Sequence, residues 1–543
     1  MRLLLPLWLA VVGVPSPSAA ALSAPTFGLV PPPDTLRLRV LAINDFHGAL
    51  EPQVWPWSAG RPVGGAAALK AWFDRLAVAC RCPSVRLDAG DEMQGTPVSN
   101  LHFGRPVIVA FNAFGVDAAA IGNHEFDWSV DTLRARAAAA RYPLLAANLT
   151  DSAGARPAWA RPWTLIRRDG VTIAVIGLAL RATPETTAPG NVRGLVFGDG
   201  AAAVRQVLPE ARAAADFVIV VAHEGAFCDS AGAAAARAAA AAAPLPAAAC
   251  HGGVVDLARG LDSGSVDLIV SGHTHSLVNT VVNGIPIVQA RSSGAGIAVV
   301  DLVRVAGATR AAGCRIETPY ADGAPADPAL ADSIARYARA VAALTSRPVA
   351  RIAADLRRRG EEYALGRLVA DAHRAAARAD VALVNNGGIR ADLAAGVATY
   401  GDLFRVEPFQ NRLVRLTVSG AVLRRALERA VSGADAGAHV SGLVVWYDPG
   451  RPPGRRLVRV QLADGADLDD RRTYTLAVSD FLAAGGSGYT MLRGAPAEDA
   501  GVTDLDALVR YLAALPQPVR APDEARLHRA AGGPGGPGGP GGP

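Results

Sequence analysis

Between Leu36 and Val305 the chain repeats one pattern: a short apolar run, a polar cluster, then a helix-like segment. The runs are Leu38–Ile43, Ser84–Leu87, Ala118–Ile121, Thr172–Leu178, Phe217–Val221 and Leu268–Val270. Strands alternating with helices predict a layered α/β domain. Every run except Thr172–Leu178 is followed at once by a cluster of His, Asp, Asn or Gly. In sheets of this kind chemistry gathers at the carboxyl ends of the strands. The pattern therefore places the polar clusters where a site is expected.

Five fragments carry that chemistry: NDFHG (Asn44 to Gly48), DAGD (Asp88 to Asp91), GNHEFD (Gly122 to Asp127), HEG (His223 to Gly225) and GHTH (Gly272 to His275). Carboxylate, amide and imidazole donors suit two divalent cations of hard to borderline character. Two such ions about 3.5–4 Å apart can polarise a phosphoryl group and activate water. Taken singly each fragment is weak, because a lone His after a strand is usually a satisfied polar residue. Their convergence is the signal. Glycine beside each cluster permits tight turns, and burying so many unpaired polar groups would be costly.

This set resembles the calcineurin-like metallophosphoesterases, specifically the two-domain 5′-nucleotidase branch. The resemblance implies that Asp45, His47 and His275 hold one metal, that Asn123, His223 and His273 hold the other, and that Asp91 bridges them. It implies His124 as the catalytic histidine and Asp127 as the carboxylate that orients it, with Asn148 close by. It implies a four-layer metallophosphoesterase β-sandwich flanked by helices, plus a second, smaller α/β substrate-binding domain. The implied cofactors are two divalent ions, Zn²⁺, Mn²⁺ or similar.

A helix is predicted over 326–346, between Pro-bearing stretches, as a connector. The second domain follows, with strands at Val381–Val384, Leu413–Val418, Leu443–Tyr447 and Tyr474–Val478, and helices at Leu365–Ala377, Ala421–Val431 and Leu505–Leu515. NNGGIR (Asn385 to Arg390) places an Arg after a glycine turn, and the planar fork of Arg suits phosphate. EPFQN (Glu407 to Asn411) and SDFLAAGGSGY (Ser479 to Tyr489) each set a Phe among polar residues. Two exposed rings would suit a nucleobase, at about 1–3 kcal/mol per stacked base; two buried rings would be ordinary core. The resemblance implies that Phe409 and Phe481 sandwich the base, that Arg390 and Arg359 bind phosphate, and that Asn385 and Asn411 contact the nucleoside. Ser487 stands where the family often has a ribose-binding Asp.

The resulting division is 1–21 signal peptide, 35–325 metallophosphoesterase domain, 326–346 connecting helix, 347–518 substrate-binding domain, and 519–543 disordered Gly/Pro tail. Arg2, the apolar run Leu3–Val14 and the small residues Ser16–Ala21 read as an export signal, so the expected location is periplasmic or secreted, without a stable membrane anchor. Five cysteines fit that compartment; Cys228 and Cys250 can close a loop, whereas a bridge between Cys80 and Cys82 would be tight. Basic residues number 54 and acidic ones 49, an excess too thin and too scattered for nucleic acid. Lys70 is the only lysine, which excludes a Gly-Lys-Ser/Thr phosphate loop.

The expected partner is a small nucleotide and the expected state a monomer. The expected reaction is hydrolysis of nucleotide phosphomonoesters to nucleoside and phosphate. The rivals are a 2′,3′-cyclic-nucleotide 2′-phosphodiesterase/3′-nucleotidase, a UDP-sugar or dinucleotide hydrolase, a thiosulfohydrolase, and a catalytically silent nucleotide-binding surface protein.

Overall fold

The computed structural model describes residues 35–228, 244–433 and 436–530. The export signal, most of the alanine block and the Gly-Gly-Pro repeat lie outside the described residues.

Two six-stranded sheets form the centre of the first domain. The first runs in the order Ala308–Glu317, Ile297–Val305, Leu36–Ile43, Ser84–Asp88, Ala118–Ala120, Leu144–Leu145. The second runs Leu277–Val282, Ile285–Ala290, Leu268–Ser271, Phe217–Ala222, Val171–Leu178, Trp163–Arg168. The second has a parallel middle and an antiparallel pair at each edge, whereas the first is antiparallel at one side only and stays parallel out to Leu144–Leu145. The apolar runs of the sequence are thus the parallel strands, displaced by a residue or two at their ends.

Side-chain alternation builds the layers. Leu38, Val40 and Ala42 point into a core shared with Ile173, Val175, Ile219 and Val221 of the other sheet. Leu41 and Ile43 face the opposite way, onto helices Ala66–Cys80 and Arg105–Phe114. Helices Gly200–Ala214 and Gly253–Arg259 cover the outer face of the second sheet. The order is helix, sheet, sheet, helix, the arrangement that buries both faces of each strand.

The connecting helix spans Pro328–Thr345, capped by Asp327, whose side chain accepts the Leu330 N–H at 2.8 Å. Leu330 and Ile334 bury into the first domain, and the helix also meets helix Tyr400–Val406 of the second. The second domain is built on the sheet Ala438–Ser441, Val381–Asn385, Thr473–Ser479, Arg412–Ser419, Ala497–Thr503. Helices Ala364–Ala377, Gly420–Ala430 and Asp504–Ala514 pack on it.

Two expectations change. Residues 519–530 are folded rather than part of a disordered tail. Val519 is 1 % exposed and bridges Ile352, and Leu527–Arg529 pairs with Val445–Tyr447, so apolar burial and backbone pairing fix this segment. Cys80 and Cys82 are bridged, as are Cys228 and Cys250. Arg81, at φ 53°, takes the left-handed turn that ends its helix and folds Cys82 back, leaving the Cα atoms 5.1 Å apart.

The two sheets lie close together at Gly177, where an added Cβ would lie 2.2 Å from Leu145 Cβ and 2.5 Å from its carbonyl. Gly177→Ala should therefore cost about 3 kcal/mol through overpacking. Calorimetry should show the first domain unfolding several degrees lower.

Candidate metal centre and substrate cleft

Five strand ends converge. Asp45 and His47 follow Leu36–Ile43, Asp91 follows Ser84–Asp88, and Asn123 and His124 follow Ala118–Ala120. His223 follows Phe217–Ala222, and His273 and His275 follow Leu268–Ser271. The loops are bonded to one another: Asp45 N–H donates to the Gly90 carbonyl and His47 N–H to the Asp91 carbonyl, both at 2.9 Å. Asp45, His47, Asp91, His273 and His275 all hold φ between 50° and 74°. Left-handed backbone is disfavoured for non-glycine residues, though Asp and His tolerate it best.

All seven predicted ligands come together. Asp45, His47 and His275 form one group and Asp91, His223 and His273 another, with donor atoms in each within 4.8 Å of one another. Asn123 Oδ1 lies 3.1 Å from His223 Nε2. Asp91 Oδ2 stands 3.1 Å from His223 Nε2 and 3.8 Å from His47 Nε2, between the groups.

The donor chemistry fits divalent cations. His47 Nδ1 bonds the Gln94 carbonyl at 2.8 Å and His223 Nδ1 the Ala89 carbonyl at 2.7 Å. Both rings therefore carry the proton on Nδ1 and present Nε2 inward. His47 Nε2 and His275 Nε2 are 2.9 Å apart. Burial, reinforced by His275, holds His47 well below the usual imidazole range, and burial with His223 brings His273 down to about 4. Burial raises Asp45, but His275 outweighs it and takes this carboxylate to about 2. Asp91 is likewise held down by His223 and His124 against burial. Ionised Asp45 and Asp91 beside neutral His47 and His273 are in the protonation states that metal ligation requires. On His223 burial is overcome by Asp91, which lifts it to about 10, so a cation bound here displaces a proton.

His124 stands beside this centre. Its N–H donates to Asp91 Oδ1 at 2.9 Å, and its Nδ1 meets Asp127 Oδ2 at 2.8 Å. Burial opposes charge on the ring, but Asp127 and Asp91 outweigh it and raise its pKa.

A cleft of about 220 Å³ runs from His124, Asp127, Asn123 and His273 to the second domain, where Asn385, Arg390, Phe409, Asn411, Phe481 and Ser487 line it. Arg390 Nη2 lies 3.4 Å from His47 Nε2. Asn385 Nδ2 donates to Ser487 Oγ at 3.3 Å, and Asn411 Nδ2 to Asp504 Oδ2 at 2.9 Å. Phe409 lies on His124, ring centroids 5.4 Å apart and planes 26° from parallel, rather than against Phe481.

Two residues fall elsewhere. Arg359 is exposed and outside the cleft. Its neighbour Arg358 is exposed too, but it bonds toward the second-domain loop: Asp392 Oδ1 accepts the Arg358 N–H, and Arg358 Nη1 donates to the Ile389 carbonyl at 2.9 Å, next to Arg390. Asn148 clamps the Ala179 backbone, donating at 2.8 Å and accepting at 2.9 Å, and does not line the cleft.

Other residues carried no clear sequence signal. Glu125 accepts the N–H groups of Asp91, Glu92 and Gly122 at 2.7–2.9 Å; its place inside the Asn123–Asp127 fragment was the available clue. Thr187 Oγ1 donates to Asp127 Oδ1 at 2.8 Å from a distant loop. Gln94 lines the cleft with a buried side-chain amide that has no hydrogen-bond partner among the described residues.

The calcineurin-like phosphoesterase family matches residues 38–277, and the 5′-nucleotidase C-terminal domain matches residues 331–494. The chain belongs to the family that joins these two domains. It is a phosphoric monoester hydrolase by that membership. This phosphoesterase is 29 % identical over 534 residues to endonuclease YhcR of Bacillus subtilis (strain 168), covering 92 % of the chain but only 41 % of that protein's length. It is 27 % identical over 539 residues to a 5′-nucleotidase of Vibrio cholerae serotype O1, covering 88 % of the chain and 91 % of the relative. Among solved structures, a 5′-nucleotidase precursor from Thermus thermophilus superposes with a TM-score of 0.79 at 29 % identity, over 91 % of this chain and 99 % of that one.

The geometry separates ligands from their supports. A Cβ at Gly122 would lie 2.2 Å from Asp91 Oδ1, so Gly122→Ala should lose bound metal and activity together. Asp127→Asn should keep its metal and lower kcat about 10- to 100-fold, as an outer partner does. Metal content per chain, measured beside kcat, checks both.

Proposed function

We propose that this phosphoesterase hydrolyses phosphomonoesters of nucleotides outside the cytoplasm, releasing nucleoside and phosphate. The observation that supports this most is the single cleft, which sets Arg390 and two Phe rings opposite the convergent carboxylate and imidazole donors. Asp45, His47 and His275 would hold one divalent ion, Asn123, His223 and His273 the other, and Asp91 both. Such ions, zinc or manganese by donor type, supply Lewis-acid stabilisation of the phosphoryl group and activation of water.

The chain's own residues do the rest. Arg390, half-buried beside His47, neutralises phosphoryl charge with a forked donor. His124, oriented by Asp127, offers its other nitrogen to a phosphoryl or leaving-group oxygen where negative charge develops. Thr187 and Glu125 fix the carboxylate and the backbone behind them. Phe409 and Phe481 supply apolar faces for a base, and Asn385 and Ser487 supply an amide and a hydroxyl for the sugar. Ser487 is neutral and short, so discrimination at the ribose should be weaker than a carboxylate would give.

Two disulfides are consistent with an oxidising compartment. No helix among the described residues is long and apolar enough to cross a membrane.

The test is phosphate release by the mature chain, stripped of metal and reloaded with Mn²⁺ or Zn²⁺. The substrates are AMP, ADP, ATP, 3′-AMP, 2′,3′-cyclic AMP and a UDP-sugar, with a phosphatase added where the first product is not free phosphate. Release from AMP that depends on metal is the expected result. Silence on every substrate with both metal sites loaded would overturn the proposal. His124→Ala should lower kcat by about 10²–10⁴ without loss of metal.

A further inference from the structure

Asn100 ends the short helix Pro97–Asn100 and is 5 % exposed. It is neither a metal donor nor part of the cleft wall. Both ends of its carboxamide are committed. Oδ1 accepts the Gly95 N–H at 2.8 Å, and Nδ2 donates to the Pro408 carbonyl at 3.0 Å. A backbone N–H can only donate and a carbonyl can only accept, so this amide has one permitted orientation.

What lies beyond each partner gives the bond its meaning. Gly95 follows Gln94, whose carbonyl holds His47 in its metal-facing tautomer. Pro408 precedes Phe409, whose ring lies on His124. One buried amide therefore joins the loop that shapes the metal centre to the loop that presents the aromatic face. The mounting is firm on both sides. Thr96 Oγ1 bonds the Gly48 carbonyl and caps the helix, and Leu101 packs against the core of the second domain. Within the second domain the 407–411 loop is tied at its far end, where Asn411 N–H and Nδ2 both donate to Asp504. The Pro408 carbonyl is its tie to the first domain.

We propose that Asn100 is a positioning residue that sets the nucleoside-binding loop 407–411 in register with the catalytic end of the cleft, and so determines affinity for nucleotides over simple phosphate esters. The proposal rests on the nucleotide reading above.

Two variants test it. Asn100→Asp, assayed at pH 8, keeps the acceptor for Gly95 but turns an oxygen toward the Pro408 carbonyl. Asn100→Leu keeps the shape and removes both bonds. Each should raise KM for AMP about tenfold, because both lose the bond to the Pro408 carbonyl. Hydrolysis of p-nitrophenyl phosphate, which has no nucleoside, and metal content should stay within about twofold of wild type. An unchanged KM for AMP in Asn100→Asp would overturn the proposal, as would a parallel loss on both substrates with loss of metal. Hydrogen exchange of the amides in 407–411 provides a readout without substrate: faster exchange in both variants is expected, and unchanged exchange overturns the proposal. Failure of wild type on AMP would instead count against the nucleotide reading, and the exchange experiment would still decide the role of Asn100.

Discussion

The rest of the first domain is organised around one electrostatic problem. Two carboxylates and four imidazole nitrogens must face one another at a few ångströms inside protein, where bare acceptors repel and burial is costly. The solution is to pin four of these candidate ligands from behind. His47 and His223 donate through Nδ1 to backbone carbonyls, the His273 N–H donates to Asp45, and the His124 N–H donates to Asp91. The left-handed backbone at five ligands is part of the same solution. Each such residue costs on the order of 1–3 kcal/mol and persists only because its surroundings over-determine it. Two stiff sheets with parallel centres deliver the five strand ends to one place, and the helices outside them supply the apolar burial that offsets the strain.

The second domain solves the complementary problem of aiming flexible loops. Its cleft loops rest on buried polar groups rather than on strands alone. Behind Phe409 the carboxylate of Glu407 meets His373 Nε2 at 3.0 Å, and both are almost fully buried. Asp504, pushed up to about 8 by burial and by Glu407, accepts from Asn411. The low dielectric around such buried groups strengthens each bond they make. The result is a loop tied down at Asn411 beside an aromatic ring that the second domain carries.

The parts legible in the sequence were those set by local chemistry. A ligand at a strand end needs an apolar run before it and a turn residue beside it, and Asn44–Gly48 or Gly272–His275 contain both. The parts set by distant partners were not legible. Arg358 rather than Arg359 reaches the Ile389 carbonyl beside Arg390, with Asp392 accepting the Arg358 N–H, and nothing in three consecutive arginines announces that choice. Thr187 acts on Asp127 from sixty residues away. Strands Ala438–Ser441 and Leu527–Arg529 are too short to show a period, and the second is defined only by the strand it joins. Phe409 was recognisable as a ring among polar residues, but its contact with His124 depends on how two domains meet.

That last contact has a thermodynamic consequence. One face of Phe409 is already in contact with the His124 imidazole, so on the nucleotide reading proposed above a base that took this face would exchange one stacking partner for another. The affinity contributed by the ring is then a difference between two aromatic contacts rather than the full value of one. Such an exchange would favour release over tight retention, because the imidazole is at hand to compete for the ring.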